Sequence, residues 1–137
     1  MRRFILALVG FSFAVTAQPP SDLISGQYVN ELGSNMTLKC FPDTGVLSGS
    51  YQSAVGDASG QYPVMGIATS CGDQPVVGFC VAWNNAGATT CWTGQFLAAD
   101  ESIATTWILA GQPNAQGQVW DNNRVGADLF QKLGSWY

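Results

Sequence analysis

The stretch VAWNNAGATTCWTGQF, residues 81–96, decides the fold. It places Trp83 and Trp92 on either side of a short Asn-Asn-Ala-Gly segment, whose composition is typical of a turn. Adjacent side chains of a strand face opposite sides, so Val81 and Trp83 share one face, as do Thr90 and Trp92. The stretch therefore predicts a β-hairpin with two indoles on the same side of the sheet.

The same alternation continues through the chain, with turn residues between short apolar segments. No helical periodicity persists over a useful window. Evenly spaced short strands indicate an antiparallel sandwich or barrel, and eight strands suit a closed barrel that holds one small ligand. We therefore predict an all-β protein, an eight-stranded antiparallel up-and-down β-barrel. The predicted strands are Gly26–Glu31, Asn35–Cys40, Val46–Ser53, Gln61–Thr69, Val76–Trp83, Ala88–Ala98, Ser102–Ala110 and Arg124–Lys132.

The composition excludes several classes of function. The chain of 137 residues has 5 Lys and Arg against 9 Asp and Glu, so its charge does not predict the basic surface patch that a nucleic-acid-binding protein needs. It has no histidine, which removes the commonest general base and a frequent metal ligand. We predict no metal site and no enzymatic activity.

The N-terminus has the pattern of a secretory signal peptide. Arg2 and Arg3 precede an apolar run that is too short to span a bilayer, and small residues at Val15–Ala17 suit a cleavage site. We predict a signal peptide at residues 1–17, a flexible lead at 18–25 and the barrel at 26–137. The alternative for the first segment is a buried N-terminal helix. No other stretch is long enough for a membrane, so we predict a secreted, extracellular protein.

The four cysteines of the chain predict two disulfides in an exported protein. Three pairings exist. We favour Cys80–Cys91, because these residues lie symmetrically about the predicted hairpin turn and on its outer face, together with Cys40–Cys71. Cross-strand neighbours are spaced slightly wider than a disulfide prefers, so free thiols stay an alternative.

The interior of the predicted barrel combines indoles with polar groups. Trp83, Trp92 and Trp107 face inward by parity, and core packing is the plain explanation for them. That explanation does not account for the polar residues on the same faces, because an unpartnered buried polar group costs about 1–3 kcal/mol. An apolar pocket with a few convergent polar groups is instead typical of a small-molecule site. The inward polar residues are Asn30, Ser34, Tyr51, Ser53, Thr90 and Asp128.

Several segments resemble the avidin/streptavidin family of biotin-binding proteins. They are GQYVNELGSNMTL at residues 26–38, GVLSGSYQSAVGDA at 45–58, VAWNN…TTCWTGQF, IATTWILA at 103–110 and VGADLFQKL at 125–133. The motifs follow one another in the order of the family and cover residues 26–133. The resemblance implies a streptavidin-like barrel that binds biotin without a cofactor.

The resemblance also implies roles for individual residues. The ureido oxygen of biotin would accept hydrogen bonds from Asn30, Ser34 and Tyr51, and the ureido N–H groups would bind Asp128 and Ser53. Thr90 would contact the thioether sulfur. The walls of the pocket would be Trp83, Trp92, Trp107, Leu32, Val55 and Leu109.

The sequence departs from streptavidin at the mouth of the pocket. The loop at residues 84–87 is shorter, and the hydroxyl expected near Ala88 for the ligand carboxylate is missing. Asp57 stands where streptavidin has Asn, and its charge would repel an anionic ligand, although solvent screens it. We therefore expect very tight binding with somewhat lower affinity or faster release than in the best relatives.

Trp120 lies in the loop before the last strand. In the family, a tryptophan at this place reaches into the site of a neighbouring subunit, so the resemblance implies a homotetramer. Outward-facing Ile108 and Ala110 fit such an interface. The alternative is a surface tryptophan packed on its own barrel.

Asn35 opens an Asn-Met-Thr glycosylation sequon and faces outward, which makes it a candidate glycan site in a suitable host.

The sequence thus predicts a secreted protein that sequesters biotin with very high affinity, as a defence by vitamin starvation. A lipocalin-like carrier of another apolar ligand is the alternative, but it would need a wider cavity. A secreted hydrolase would use Asp128 or Asp57 with Ser34 or Ser53. No histidine links these residues and no G-x-S-x-G motif is present.

Overall fold

A computed structural model of the protein describes residues 22–56 and 60–134. The predicted signal peptide and Asp57 lie outside these residues. All eight predicted strands are present, each end within one residue of its prediction. The strands are β1 (Gly26–Asn30), β2 (Asn35–Phe41), β3 (Val46–Gln52), β4 (Tyr62–Ala68), β5 (Val76–Trp83), β6 (Ala88–Leu97), β7 (Ser102–Gly111) and β8 (Asn123–Lys132).

The eight strands form a closed barrel in which each strand pairs antiparallel with the next. β1 also pairs with β8, with Val29 opposite Gln131 and Asn30 opposite Phe130, which closes the sheet. The predicted up-and-down β-barrel is therefore confirmed. Because successive strands run in opposite directions, the turns after β1, β3, β5 and β7 lie at one end of the barrel.

Inward and outward residues alternate along the strands as the parity argument predicted. Phe79, Val81 and Trp83 are buried on β5, whereas Ala82 is exposed. On β7 the outward Ile108 and Ala110 are exposed. We call the opposite end, formed by the turns after β2, β4 and β6, the closed end of the barrel. The hydrophobic side chains that fill this half include Tyr28, Leu47, Phe79, Ile103 and Phe130, all at most 1% exposed.

Both predicted disulfides form. Cys80 and Cys91 are directly opposite one another on β5 and β6, and their Cα atoms are 4.1 Å apart. They lie on the outer face of the hairpin. Cys40 and Cys71 are both buried, and their disulfide joins the end of β2 to the loop between β4 and β5. The Cys80–Cys91 disulfide therefore cross-links the β5–β6 hairpin, and the Cys40–Cys71 disulfide fixes the closed end of the barrel.

Residues 22–25 differ from the expected flexible lead, because they pack across the closed end. Ile24 is fully buried, and the Leu23 N–H donates to the Cys71 carbonyl at 2.9 Å. The Tyr28 hydroxyl donates to the Ile24 carbonyl, and the ammonium group of Lys132 donates to the Leu23 carbonyl. Leu23 packs against the core beside Ile24, and the polar Asp22 and Ser25 on either side concealed this apolar pair. Across residues 22–56 and 60–134 the structure contains no helix long and apolar enough to cross a membrane.

Candidate functional site

A cavity of about 280 Å³ opens at the end of the barrel formed by the turns after β1, β3, β5 and β7. Its volume is near the lower limit for small-molecule sites, ~300 Å³. Gly56, Ala86 and Ala88 line it without having been predicted as site residues. Predicted site residues that line it are Asn30, Leu32, Ser34, Tyr51, Ser53, Val55, Trp83, Thr90, Trp92, Trp107, Leu109 and Asp128.

Three hydrogen-bond donors converge on one wall of the cavity. The side-chain oxygen of Asn30 accepts the N–H groups of Leu32 and Ser34 at 3.1 and 2.9 Å, so its NH2 group is left to donate. That group lies 3.4 Å from the Tyr51 hydroxyl. The Ser34 Oγ accepts the Ala54 N–H at 3.0 Å, so its hydroxyl can donate, and a hydrogen bond from Ser34 lowers the pKa of Tyr51. The turn after β1 thus uses the acceptor of Asn30, and the segment after β3 uses that of Ser34, so both side chains keep donors for the cavity that they line.

Tyr51 is held in its neutral, donating form. Burial is the main cause that raises the pKa of its hydroxyl to about 12, and the Asp128 carboxylate adds to the increase. The ring also stacks on Trp92, with centroids 5.2 Å apart, and meets Trp83 edge-on. The aromatic contacts fix the direction of the hydroxyl, and the pKa keeps its proton at any physiological pH.

Asp128 supplies a hydrogen-bond acceptor to the cavity, in contrast to the three donors. Its carboxylate is 8% exposed and accepts the Trp92 Nε1–H at 2.8 Å. Burial raises the pKa of the Asp128 carboxyl above its ordinary value of 3.8. The Trp92 indole N–H lowers that pKa, and the negative charge of Glu31 raises it. A hydrogen bond with the Trp107 side chain also lowers the pKa of Asp128.

Glu31, which no sequence motif singled out, raises the pKa of Asp128. Its carboxylate accepts the Leu129 N–H at 3.0 Å, next to Asp128 in β8. We expect Glu31→Gln to lower the pKa of Asp128, because the substitution removes a negative charge and keeps an acceptor oxygen for Leu129. Carbon-13 NMR titration of the Asp128 carboxyl in the ligand-free protein measures this change. An unaltered titration midpoint would show that Glu31 has no such role.

Ser53 and Thr90 add one acceptor and one donor. The Ser53 hydroxyl donates to the Val55 carbonyl at 2.8 Å and accepts the Val55 N–H at 3.3 Å, so one lone pair is left for a ligand N–H. The Thr90 Oγ1 accepts the Trp83 Nε1–H at 2.8 Å, which leaves its own proton free. The orientation of each hydroxyl is therefore set by a neighbouring group, the Val55 carbonyl for Ser53 and the Trp83 indole for Thr90.

The three indoles are held by different means. Trp83 is fixed by its bond to Thr90 and by edge-on contact with Tyr62, at 5.0 Å between centroids. Trp92 stacks on Phe79, with ring centroids 5.4 Å apart. Trp107 lies against Gly126, where a Cβ atom would come within 2.3 Å of the indole. A glycine inside a strand often marks such a close approach, but only the register of β7 and β8 identifies Trp107 as the neighbour of Gly126.

The arrangement suits a flat, neutral ligand with a carbonyl at one edge and N–H groups beside it. The donors of Asn30, Ser34 and Tyr51 would meet the carbonyl, and Asp128 would meet an N–H group. Converging donors on one carbonyl oxygen draw negative charge onto it. Within the described ranges no cluster of three His, Cys, Asp or Glu side chains is placed to hold a metal ion.

Trp120 lies outside this cavity. It is 79% exposed in the loop between β7 and β8, so it does not pack on its own barrel.

On the outer face, Met65, Ile108 and Val125 are exposed in the same cross-strand row as the Cys80–Cys91 disulfide. We call Met65, Ile108, Val125 and this disulfide the outer apolar row.

Comparison with known sequences supports the resemblance. The profile of the Avidin family matches residues 19–133. Avidin-related protein 4/5 of Gallus gallus is 34% identical over 116 residues, 80% of this chain and 77% of that protein. Avidin of Gallus gallus is 33% identical over 118 residues, 80% and 78% of the two chains. Afifavidin of Afifella pfennigii is 36% identical over 119 residues, 78% and 67% of the two chains.

Proposed function

The chain belongs to the avidin family, and we propose from this premise that it binds biotin, non-covalently and very tightly, in the cavity of its barrel. The protein acts as a binder and not as an enzyme. The bicyclic ring of biotin lies between the indoles, and its ureido group points toward the wall that carries the three donors. Each chain takes one biotin molecule.

The observation that carries the proposal is the opposition of donors and acceptors across the cavity. Asn30, Ser34 and Tyr51 line the cavity with hydrogen-bond donors, and Asp128 and Ser53 line it with acceptors. A cyclic urea has the complementary pattern, one acceptor oxygen between two N–H donors. A bond between a carboxylate and such an N–H group is charge-assisted, which makes it stronger than a neutral one.

The alternative functions fit the cavity less well. A lipocalin-like carrier needs a wide apolar cavity, whereas this one is small and has several directed polar groups. A hydrolase needs a base beside its nucleophile. The described partners of the Ser34 hydroxyl and the Asp128 carboxylate are a backbone N–H and an indole N–H. Neither bond activates a nucleophile.

Titration of the purified protein with biotin, followed by tryptophan fluorescence, tests the proposal. We expect a sharp change in emission that ends at one biotin per chain, because three indoles line the cavity. The indoles that line the cavity report directly on ligand contact. No change at micromolar biotin would refute the function.

We further propose that the protein assembles as a homotetramer. The outer apolar row supports this, since exposed contiguous apolar surface marks interaction sites. The exposed Trp120 is the residue we assign to the cavity of a neighbouring subunit.

Substitution of Trp120 tests the assembly. We expect Trp120→Lys to release biotin at least about tenfold faster, the effect of losing roughly 1.4 kcal/mol of contact, or to yield smaller species. Stopped-flow dissociation and sedimentation velocity measure the two outcomes. Val119→Lys, an exposed neighbour in the same loop, is the matched control. An equal effect of both variants, or no effect of either, would refute the role of Trp120.

Secretion is part of the same proposal. Two disulfides are consistent with folding in an oxidising compartment. The predicted signal peptide, residues 1–17, would direct the chain there and be removed. Outside the cell a tight binder would deplete free biotin, which fits a defence by vitamin starvation. Asn35 is exposed at the start of β2, where a glycan would be tolerated in a host that attaches one.

A further inference from the structure

The barrel closes where β1 meets β8, and we call this junction the seam. The two strands pair from Tyr28–Lys132 to Asn30–Phe130, where β1 ends. β8 extends further toward the open end, back to Asn123, and its other edge stays paired with β7 along that stretch. The backbone ladder of the seam therefore stops at Asn30, a residue that lines the cavity.

A side chain continues the seam toward the open end. The register of β1 and β8 places Leu129 opposite Glu31, and the Leu129 N–H donates to the Glu31 carboxylate at 3.0 Å. Toward the closed end the corresponding bond is made by backbone atoms, because the Leu133 N–H donates to the Gln27 carbonyl at 2.8 Å. The Glu31 carboxylate thus takes the place of a backbone acceptor at the point where the chain turns away from β8.

This hydrogen bond lies between two polar residues of the cavity. Glu31 directly follows Asn30, whose amide is a donor, and Leu129 directly follows Asp128, whose carboxylate is an acceptor. A cyclic urea that bonds to both residues would span the seam. Its hydrogen bonds need a fixed distance between the two side chains, since a binding constellation has to be held to within about 0.5 Å.

Resting on the proposed function, we propose that Glu31 is a positioning residue for the ligand. Its carboxylate holds β8 against the end of β1 and thereby keeps the Asp128 carboxylate at its distance from the Asn30 amide. Glu31 is exposed and is not one of the described residues that line the cavity, so it acts through these two residues. A hydrogen bond between a carboxylate and an N–H group is charge-assisted, which makes it strong enough for such a role.

Two substitutions of Glu31 test the hydrogen bond itself in the ligand-free protein. Glu31→Ala removes the acceptor, whereas Glu31→Gln keeps an acceptor oxygen without the charge. Amide hydrogen exchange, followed by NMR, measures the protection of the Leu129 N–H. We expect this amide to exchange at least about fivefold faster in Glu31→Ala than in Glu31→Gln, the effect of losing one hydrogen bond. Equal exchange rates in the two variants would overturn the inference.

The dissociation rate of biotin tests the consequence for binding. Both variants remove the charge that raises the pKa of Asp128, so a difference between them reports on the hydrogen bond. We expect biotin to leave Glu31→Ala at least about threefold faster than Glu31→Gln, or ~0.65 kcal/mol. Equal rates in variants that bind biotin would overturn the inference and leave the proposed function standing. Failure of the parent protein to bind biotin would refute the proposed function, and Glu31 would then have no such ligand to position.

Lys132→Met separates this role from a general loosening of the seam. The Lys132 ammonium group donates to the Leu23 carbonyl at 2.8 Å, at the closed end and far from the cavity. Methionine keeps an apolar stem over Gly26 and loses the donor. We expect the dissociation rate of biotin to stay within about twofold of the parent value. Release as fast as in Glu31→Ala would show that any weakening of the seam has this effect, and would overturn the specific role of Glu31.

Discussion

Asp128→Ala is expected to weaken biotin binding by about 2–5 kcal/mol, the usual cost of removing one member of a buried, hydrogen-bonded charged contact. This corresponds to a loss in affinity of about 30-fold to several thousand-fold. The variant takes the charged acceptor from a ureido N–H and also leaves the Trp92 indole N–H without its 2.8 Å partner. Calorimetry in competition mode measures the change.

Two controls make the Asp128 result specific. Asp100→Ala removes an exposed carboxylate at the closed end of the barrel and is expected to leave the affinity unchanged. Asp128→Asn keeps an acceptor oxygen without the charge, so it should lose less affinity than the alanine variant. Equal affinity of Asp128→Ala and the parent protein would mean that the pocket is assigned wrongly.

The same carboxyl makes binding and stability respond to pH in opposite directions. Because burial raises the pKa of Asp128, its protonated form favours the folded, ligand-free state. That contribution to stability is fully present below pH 3.8, the ordinary pKa, and is lost as the pH rises through the higher folded-state pKa. Biotin binding needs the ionised form and weakens as the pH falls through that pKa. At pH 7, Asp128→Asn should therefore raise the melting temperature of the ligand-free protein.

Removal of the Cys40–Cys71 disulfide is expected to cost about 3–4 kcal/mol of unfolding free energy. The chain-entropy relation gives this value for the 31-residue separation of the two cysteines. The same relation gives just under 3 kcal/mol for Cys80–Cys91, with its separation of 11. The buried pair also anchors the closed end, where the Leu23 N–H bonds to the Cys71 carbonyl and the Cys40 N–H bonds to Ser25. Its loss should therefore be the larger of the two.

Urea unfolding of the double alanine variants, at one protein concentration and without biotin, measures both costs. The Cys80→Ala/Cys91→Ala variant is the matched control, because it removes the same number of sulfur atoms from the outer face. A larger loss for the control than for Cys40→Ala/Cys71→Ala would contradict the structural role of the closed-end bond.

Strand positions and inward residues were predictable because both depend on local pattern. Alternation on β5 and β6 determines which side Trp83 and Trp92 occupy, and the symmetry of Cys80 and Cys91 about one turn identifies their bond. The anchor at Ile24 was not predictable in this way. Two adjacent apolar residues, Leu23 and Ile24, are too few to show a periodicity, and the burial of Ile24 depends on Tyr28 and Cys71, which come together only in the closed barrel.

The site was predictable in its members but not in its hydrogen-bond directions. The family motifs named Asn30 and Ser34, whereas only the structure shows that the Asn30 oxygen accepts N–H groups of its own turn and that the Ser34 oxygen accepts the Ala54 N–H. Glu31 and Gly126 escaped notice for a related reason. Their roles lie in contacts with Leu129 and Trp107, residues almost a hundred and about twenty positions away, and are invisible without the barrel's register.

A crystal structure of the biotin complex tests the central claim most directly. We predict the ureido oxygen within hydrogen-bond distance of the Asn30 amide, the Ser34 hydroxyl and the Tyr51 hydroxyl, with one ureido N–H on Asp128 and the ring between Trp92 and Trp107. A biotin ring bound outside the cavity, or one whose ureido group points to the open end of the barrel, would contradict the account.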